Sequence, residues 1–365
     1  ILSPADDPAA SARILEIDRT VAVTAQYQEN INIAEGRLGQ SESVLDNMTS
    51  TLRRVRQLAL QGGNGHLTNE DRDFLAAEVR QRFDELLTLA NTQDSNGEYI
   101  YAGFTSDARP FTPDPSGAVA YNGDQGRRFL QIGPGRQIAD RDTGDALFMA
   151  VRNGNGTFVS DPDAANTGTG VIEPGTVVDP TAYQAHDFRI VFTAPDSYDV
   201  INDTTGVTVA SAQPWAQDTR IAFNGLETAI GGTPATGDVF HVGPSQNQSV
   251  FTTVDRLATA LETDHLSDQD KADIRHVLNR TLTDPDQAPE GAREGRTDIG
   301  ARLNALDAQR RVNDDVNFQM ASVRSDLQDI DIVEASVALN LAVSSLEAAQ
   351  QAFVRTQNLS LFNFL

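Results

Sequence analysis

The sequence contains no cysteine and a single lysine, Lys271. Without cysteine there is no disulfide framework, no thiolate zinc site and no cysteine nucleophile. Acidic side chains outnumber basic ones by 52 to 28, which gives a formal net charge of −24. Because nucleic acids and anionic membranes bind clustered lysine and arginine, this charge argues against both as partners.

Long apolar runs are also absent. No run approaches the ~20 residues that a transmembrane helix needs, and no signal-peptide pattern is present. With 365 residues, of which 39% are hydrophobic, the chain is nevertheless long enough for two or more domains with buried cores. It opens on Ile1 rather than methionine, within ILSPADDP, so we expect further residues upstream in the full protein.

Motifs of enzymes and metal sites are scarce. The sequence has neither HExxH nor GxSxG, and none of its five histidines lies three or four residues from another: His66, His186, His241, His265 and His276. We therefore predict no catalytic residue, no metal and no cofactor. Asp140, Asp142 and Asp145 could supply oxygen ligands to calcium, but the bidentate glutamate of an EF-hand loop is missing, which favours a solvated acidic turn.

Proline is absent between Pro8 and Pro110, and this stretch has the pattern of a long helix. Asp7 and Pro8 form an N-cap followed by a first-turn proline. Apolar or small residues then recur in alternating steps of three and four, the spacing of a seam that packs on another long helix: Ile31, Ala34, Leu38, Ser41, Leu45, Met48, Leu52, Val55 and Ala59. The pattern predicts one helix over residues 8–61.

The segment GGNGHLTNED at 62–71 ends this helix and starts another. Its three glycines break the helical pattern, and Thr68 with Asp71 three residues later has the spacing of a capping box. A second helix over 68–93 is predicted to fold back on the first. The Asn-Gly pair that follows predicts a turn and then a strand at 99–104.

Residues 105–247 hold most of the glycines and prolines and several short alternating segments. Such segments between turn residues are typical of strands: FRIVF at 188–192, GVTVA at 206–210, TRIAFNG at 219–225 and DVFHVG at 238–243. They predict an all-β domain inserted between the helical chain ends. Helices are predicted again at 250–261 and 268–282, followed by a loop at 283–291.

After Gly300 the chain has neither proline nor glycine, which predicts a long last helix with two successive apolar stripes. The first stripe contains Val316, Met320, Val323, Leu327, Ile330 and Val337. The second contains Ile332, Ala335, Leu339, Ala342, Leu346, Ala349 and Phe353. The helical seam is accordingly predicted from both chain ends, with Ile31, Leu38, Leu45 and Leu52 on the first helix and Val316, Val323 and Ile330 on the last.

The C-terminal segment, 338–365, stays apolar to its end. Between Ser336 and Leu365 only Glu347 and Arg355 are charged, so the segment lacks the basic face of a membrane-surface helix and suits contacts with protein. We predict that it binds partners through Leu339, Leu346, Phe353, Leu359, Leu361, Phe362, Phe364 and Leu365.

Long helices at both chain ends around a variable β-rich middle resemble the plan of bacterial flagellins and their relatives. Within that group, three segments resemble the family of hook–filament junction proteins, flagellar hook-associated protein 3: ILSPADDPAASARILEI, LRRVRQLALQGGNGHLTNEDRDFLAAEVRQRFDELLTLANTQDSNGEYIYAGF and QAFVRTQNLSLFNFL. The resemblance covers about 1–111 and 297–365. It implies an α+β fold, in which an elongated α-helical bundle from 1–104 and 248–365 carries an inserted β-rich outer domain, 105–247.

The resemblance also implies a function. A member of this family would be a secreted, extracellular structural subunit of the bacterial flagellum that passes through type III export and self-assembles into a ring joining hook to filament. Its partners would be other copies of itself, a hook-associated protein on the hook side, flagellin on the filament side and an export chaperone at the C-terminus. Two alternatives stay open: filament flagellin and, from a different class, a surface adhesin that binds its ligand through the β domain.

Overall fold

The computed structural model describes residues 7–114, 117–217, 219–264, 267–329 and 332–358. The helices are α1 (Pro8–Gly62), α2 (Asn69–Ala90), α3 (Val250–Glu262), α4 (Asp268–Gln328) and α5 (Ile332–Asn358). The strands β1 to β15 are, in chain order, Phe111–Pro113, Val119–Tyr121, Phe129–Gly133, Arg136–Ala139, Val151–Arg152, Phe158–Pro162, Val171–Ile172, Thr176–Val177, Phe188–Ala194, Ser197–Asn202, Val207–Pro214, Arg220–Phe223, Leu226–Gly231, Val239–Pro244 and Asn247–Gln248. Helices at both chain ends around a β-rich middle confirm the predicted α+β class.

The chain divides into two compact units. The first, which we call the terminal unit, contains Ile1–Asn30, Ile132–Pro134 and Asp307–Leu365. The second, the central unit, contains Ile31–Gln131 and Gly135–Leu306. The helices α1 and α4 each contribute residues to both units, whereas the inserted strands lie almost entirely in the central unit.

The predicted caps of the first two helices are present. The Asp7 carboxylate accepts the N–H groups of Ala9 and Ala10 at 3.0 Å each, so α1 begins at the predicted Pro8. At α2 the Thr68 hydroxyl accepts the N–H of Asp71 while the Asp71 carboxylate accepts the N–H of Thr68. Each cap satisfies N–H groups that a helix N-terminus otherwise leaves without acceptors.

The helices of the central unit pack side by side. Arg54 on α1 pairs with Glu78 on α2, and Arg296 on α4 pairs with Asp46 on α1 at 3.0 Å. Nearer the other end of α1, Arg56 donates to the carbonyl of Leu282 on α4. Because α1 positions rise as their α4 partners fall, the two helices run antiparallel. The α1 seam residues are all buried in this unit: Ile31, Ala34, Leu38, Ser41, Leu45, Met48, Leu52, Val55 and Ala59.

In the terminal unit, the start of α1 packs against the end of α4, and the two segments are again antiparallel. Gln28 donates to the carbonyl of Arg310 at 3.3 Å, and Arg324 pairs with Asp18 at 3.2 Å. Burial on α4 is weaker here than on the seam of α1. Val316 is half-buried, Val323 is 39% exposed, and Ile330 lies outside the described residues.

Two sheets share the core of the inserted region. A five-stranded antiparallel sheet has the order β11-β10-β9-β14-β6, and a second sheet joins β12, β13 and β7, with β8 also paired to β13. Their inward residues form one cluster, in which β9 contributes Phe188, Ile190 and Phe192 at alternate positions. The four segments predicted as strands lie on β9, β11, β12 and β14.

A second apolar cluster joins the start of the insertion to the helices of the central unit. Phe251 on α3 packs on Phe83 of α2 with ring centroids 5.8 Å apart, and on Phe111 of β1 at 5.7 Å. Phe148, in a π-helical turn at Asp145–Met149, stacks on the same ring. Phe83 and Phe251 belong to the predicted helical region, whereas Phe111 and Phe148 belong to the predicted insertion. The predicted boundary at 104/105 therefore stays a prediction.

The predicted strand at 99–104 is wrong. This segment forms turns around the buried Tyr101. The Asp124 carboxylate accepts the N–H of Phe104 at 3.0 Å, and Gly103 has a φ of 71°, which an extended strand cannot accommodate. The carboxylate of Asp124, 20 residues further along the chain, therefore accepts a backbone N–H that would donate to a neighbouring strand in a sheet.

The predicted loop at 283–291 is also wrong, because α4 continues through it. Tertiary contacts hold both flanks of the segment. Thr281, before the segment, and Asp284, within it, are buried, and Asp284 accepts the N–H of Gly154 at 2.7 Å; after the segment, Ala292 is buried. Packing of this kind overrides the low intrinsic helix propensity of a proline-containing stretch. Where a single last helix was predicted, the structure has α4 to Gln328 and α5 from Ile332, and residues 330–331 between them lie outside the described residues.

Candidate assembly surface

Helix α5 exposes large apolar side chains along its described length. Leu339 is 65% exposed, Leu346 59% and Phe353 64%. With Ile332, Ala335, Ala342 and Ala349 they recur every three or four residues and so share one face, which we call strip one. The remaining residues predicted to contact partners lie outside the described residues: Leu359, Leu361, Phe362, Phe364 and Leu365.

A second apolar face runs along the opposite side of α5. At 100° per residue, its members lie roughly 110–170° around the helix from the middle of strip one. This face, strip two, contains Val333, Val337, Leu341, Ala348 and Ala352. Asn340, Glu347 and Gln351 separate the strips on one flank. The sequence patterns identified strip one but, of strip two, included only Val337, as the end of the first stripe, because the repeat of strip two is interrupted between Leu341 and Ala348.

The chemistry of α5 suits protein partners. The helix carries the charged residues Glu334, Glu347 and Arg355, and its apolar side chains lie on two faces rather than opposite a basic one. Within the described part of the chain, none of the helices is both long and apolar enough to span a bilayer. Burying a large apolar side chain stabilises a complex by about 1.5–3 kcal/mol, so each strip offers substantial free energy to a partner.

The acidic turn of Asp140, Asp142 and Asp145 is not a solvated cluster, so that interpretation was wrong. Asp140 has no exposed side-chain surface and pairs with Arg37 at 2.6 Å and Arg128 at 2.7 Å. Asp142 pairs with Arg302 at 2.8 Å. Asp145 accepts from Gln125 at 3.1 Å. Each carboxylate thus faces a different partner, and no group of metal ligands occurs among the described residues.

Asp140 belongs to a larger ionic network in the central unit. Arg37 also contacts Asp94 at 3.2 Å and Glu98 at 3.3 Å, and Arg141 reaches the same two carboxylates. Burial raises the pKa of Asp140 against the opposing charges of Arg37 and Arg141. Burial also opposes ionisation of Asp94, but hydrogen bonds from the Glu98 and Asn96 N–H groups, together with the arginines, keep its pKa below the ordinary value. No local sequence pattern predicted this network, because Arg37 and Asp140, which form one of its ion pairs, lie 103 positions apart.

A cleft of about 310 Å³ lies between β6, α3 and α4 in the central unit. On its wall the Asp161 carboxylate accepts from His276 at 3.3 Å and pairs with Arg280. Burial would raise the pKa of Asp161, but the hydrogen bond from His276 and the charge of Arg280 outweigh it and hold the pKa at about 2. Arg280 also faces Asp284 at 3.4 Å, whose pKa is raised by burial. These paired charges join the insertion to α4.

Comparison with known proteins agrees with this architecture. Residues 1–106 match the bacterial flagellin N-terminal helical region. Flagellar hook-associated protein 3 of Escherichia coli K12 is 24% identical over 362 residues, which cover 99% of this chain and 88% of that protein. The crystal structure of flagellar hook-associated protein 3 from Legionella pneumophila superposes with a TM-score of 0.80 at 31% identity, over 87% of this chain and 100% of that one. The chain belongs to the flagellar hook-associated protein 3 (FlgL) family.

Flagellins are more distant from this FlgL-family chain. A flagellin of Salmonella rubislaw is 25% identical over 253 residues, which cover 67% of this chain but only 47% of the flagellin. Membership of the FlgL family confirms a structural role in the bacterial flagellum, at the hook–filament junction, and favours it over the filament-flagellin alternative.

Proposed function

We propose that this FlgL-family chain joins hook to filament through α5, which acts as its assembly helix. The observation that carries the proposal is the exposure of strip one, where Leu339, Leu346 and Phe353 each keep more than half of their surface accessible. A surface of this kind is typical of a segment that completes its packing only with partners. Other copies of the chain in a ring are the first such partners.

The two strips explain how one helix serves a junction. A helix with a single apolar face packs against one neighbour, whereas opposed faces allow contacts on two sides at once. We assign the adjoining copies and the subunits above and below the ring to these faces. On the hook side the neighbour is a hook-associated protein, and on the filament side it is flagellin. The contribution is mechanical rather than catalytic.

Before assembly the same surface needs protection from water and from premature association. We propose that an export chaperone binds 338–365, including Leu359, Leu361, Phe362, Phe364 and Leu365, and releases it after type III export to the extracellular flagellum. A segment that becomes buried only in a complex contributes to that complex and little to the free chain.

Truncation tests the proposal. Removal of 336–365 is expected to leave the melting temperature of the free chain within a few degrees of its original value and to abolish co-purification with the chaperone. A chain that carries Gln351→Asp, on the polar flank of α5, is the matched control and is expected to keep both properties. A large fall in melting temperature with chaperone binding retained would place the segment in the core of the free chain and contradict the proposal.

A further inference from the structure

We propose that the turn between α1 and α2 forms a binding site for a small oxyanion of the phosphate or sulfate class. A pocket of about 160 Å³ opens in the central unit, where this turn meets the first turns of α4. It is lined by Gly62, Gly63, Gly65, Leu67, Thr68, Asn69, Arg72, Lys271, Ile274, Arg275 and Leu278. The lining thus includes three basic side chains and, among the described residues, no acidic one.

Arg72 is the observation that points to a ligand. It keeps only 8% of its surface exposed, and its buried Nε has no hydrogen-bond partner in the described structure. A buried guanidinium without a counter-charge is costly, because it loses water without gaining a carboxylate. No carboxylate of the described residues pairs with this arginine, which leaves a position for an external anion.

The backbone around Arg72 favours the same ligand. The pocket includes Thr68 and Asn69, where α2 begins, so the positive end of the helix dipole and its first N–H groups lie at the pocket. The capping box of Thr68 and Asp71 fixes this helix start. Because the Asp71 carboxylate is used by the N–H and hydroxyl of Thr68, it is committed to the cap.

The first turns of α4 supply the other wall. Lys271 and Arg275 are one helical turn apart, and Ile274 and Leu278 add apolar surface beside them. Lys271 also pairs with Asp268 at 2.8 Å, but the Asp268 side chain is 83% exposed and does not line the pocket. An oxyanion bound here would link the α1–α2 turn to the start of α4 through charge-assisted hydrogen bonds.

Calorimetric titration of the full chain with sodium phosphate tests the site, with sodium chloride holding the ionic strength constant so that general screening does not change. The expected result is saturable binding of one phosphate per chain. Arg72→Gln is expected to weaken binding at least about tenfold, the loss of one charge-assisted contact. Arg220→Gln, which removes an exposed arginine on β12, is the matched control and is expected to bind as the original chain does.

Arg275→Gln keeps the site testable if Arg72→Gln disturbs folding, because Arg275 is exposed at the pocket. It is expected to weaken phosphate binding severalfold while the circular dichroism spectrum is unchanged. Two results would overturn the site: no saturable binding by the original chain, or equal weakening by Arg275→Gln and Arg220→Gln.

Discussion

Two arginines on α1 show how burial decides the value of an ion pair. Arg37 keeps 12% of its side chain exposed and contacts Asp140, whose side chain is fully buried, whereas Arg54 is 38% exposed and pairs with a partly exposed Glu78. Removing one partner of a buried pair leaves a charge without compensation, while an exposed pair is replaced by water.

We therefore predict that Arg37→Ala lowers the free energy of unfolding by about 3 kcal/mol, the lower end of the range for a broken buried pair, because Arg128 still faces Asp140. Arg54→Ala is expected to cause a much smaller loss. Urea unfolding followed by circular dichroism measures both. Equal losses for the two variants would show that burial of Asp140 does not govern the network.

The pKa of Asp161 predicts a specific dependence of stability on pH. Because this pKa is held at about 2, below the ~3.9 of an unfolded aspartate, the ionised carboxylate stabilises the folded chain above about pH 4. That contribution is lost as the pH falls from about 4 to 2. Asp161→Asn should consequently lower the melting temperature most at pH 6, and the difference from the original chain should shrink below pH 4.

The exposed Asp107 provides the control for this experiment. Asp107→Asn is expected to leave the melting temperature nearly unchanged at pH 6. A difference between Asp161→Asn and the original chain that stays constant from pH 6 to pH 3 would show that His276 and Arg280 do not stabilise the ionised carboxylate.

At the residue scale, the sequence could predict only interactions between near neighbours. The caps of Asp7 and of Thr68 with Asp71 followed from residues two or three positions apart. The pairing of Arg37 with Asp140 depends on how distant segments come together, and so does the burial of the Arg72 Nε, which has no partner among the described residues. Nothing in the local sequence distinguishes these arginines from exposed ones.

At the scale of elements, the seam residues of α1 recur in steps of three and four and are buried. Leu45 is fully buried, whereas Leu60 on the same helix is 55% exposed. Leu45→Asp should remove about 2–5 kcal/mol for the lost side chain and more for the buried charge, enough to unfold the central unit. Leu60→Asp should have little effect. Thermal melting compares the two, and similar melting temperatures would contradict the assigned packing of α1.

The errors at this scale have physical causes. Alternation predicted β9 correctly because its inward residues contact a continuous core. The segment at 99–104 contains strand-forming residues, but Asp124 binds its backbone. The segment at 283–291 contains loop-forming residues, but buried residues on both flanks keep it helical. Tertiary contacts outweighed local propensity in both places.

At the scale of the whole molecule, the structure identifies two positions between which most of the β-rich insertion can be deleted. Strands β5 and β15 pair Arg152 with Asn247, so the two ends of the intervening segment lie side by side. Deletion of 154–245 with a short glycine-serine linker is expected to retain the helical circular dichroism of the remaining chain. Loss of that signal would show that the helices depend on the insertion.

Deletion of the wider segment 105–247, which was predicted to be a domain, tests whether the helices also tolerate the loss of aromatic residues that pack on them. Its deletion also removes Phe111 and Phe148, which pack on Phe251 of α3. We expect the helices to remain after this deletion but to melt at a lower temperature than after the deletion of 154–245. Equal melting temperatures would show that the aromatic cluster adds little to the helical part.

Counting filaments on hooks is the most direct test of the proposal that α5 joins this FlgL-family subunit to its neighbours. A strain that lacks the gene would be supplied with the original chain, with Leu346→Asp on strip one, or with Gln351→Asp on the polar flank. Electron microscopy is expected to show hooks without filaments for Leu346→Asp and normal filaments for Gln351→Asp, while both purified variants melt as the original chain does. Normal numbers of filaments with Leu346→Asp would contradict the assignment of α5 as the assembly helix.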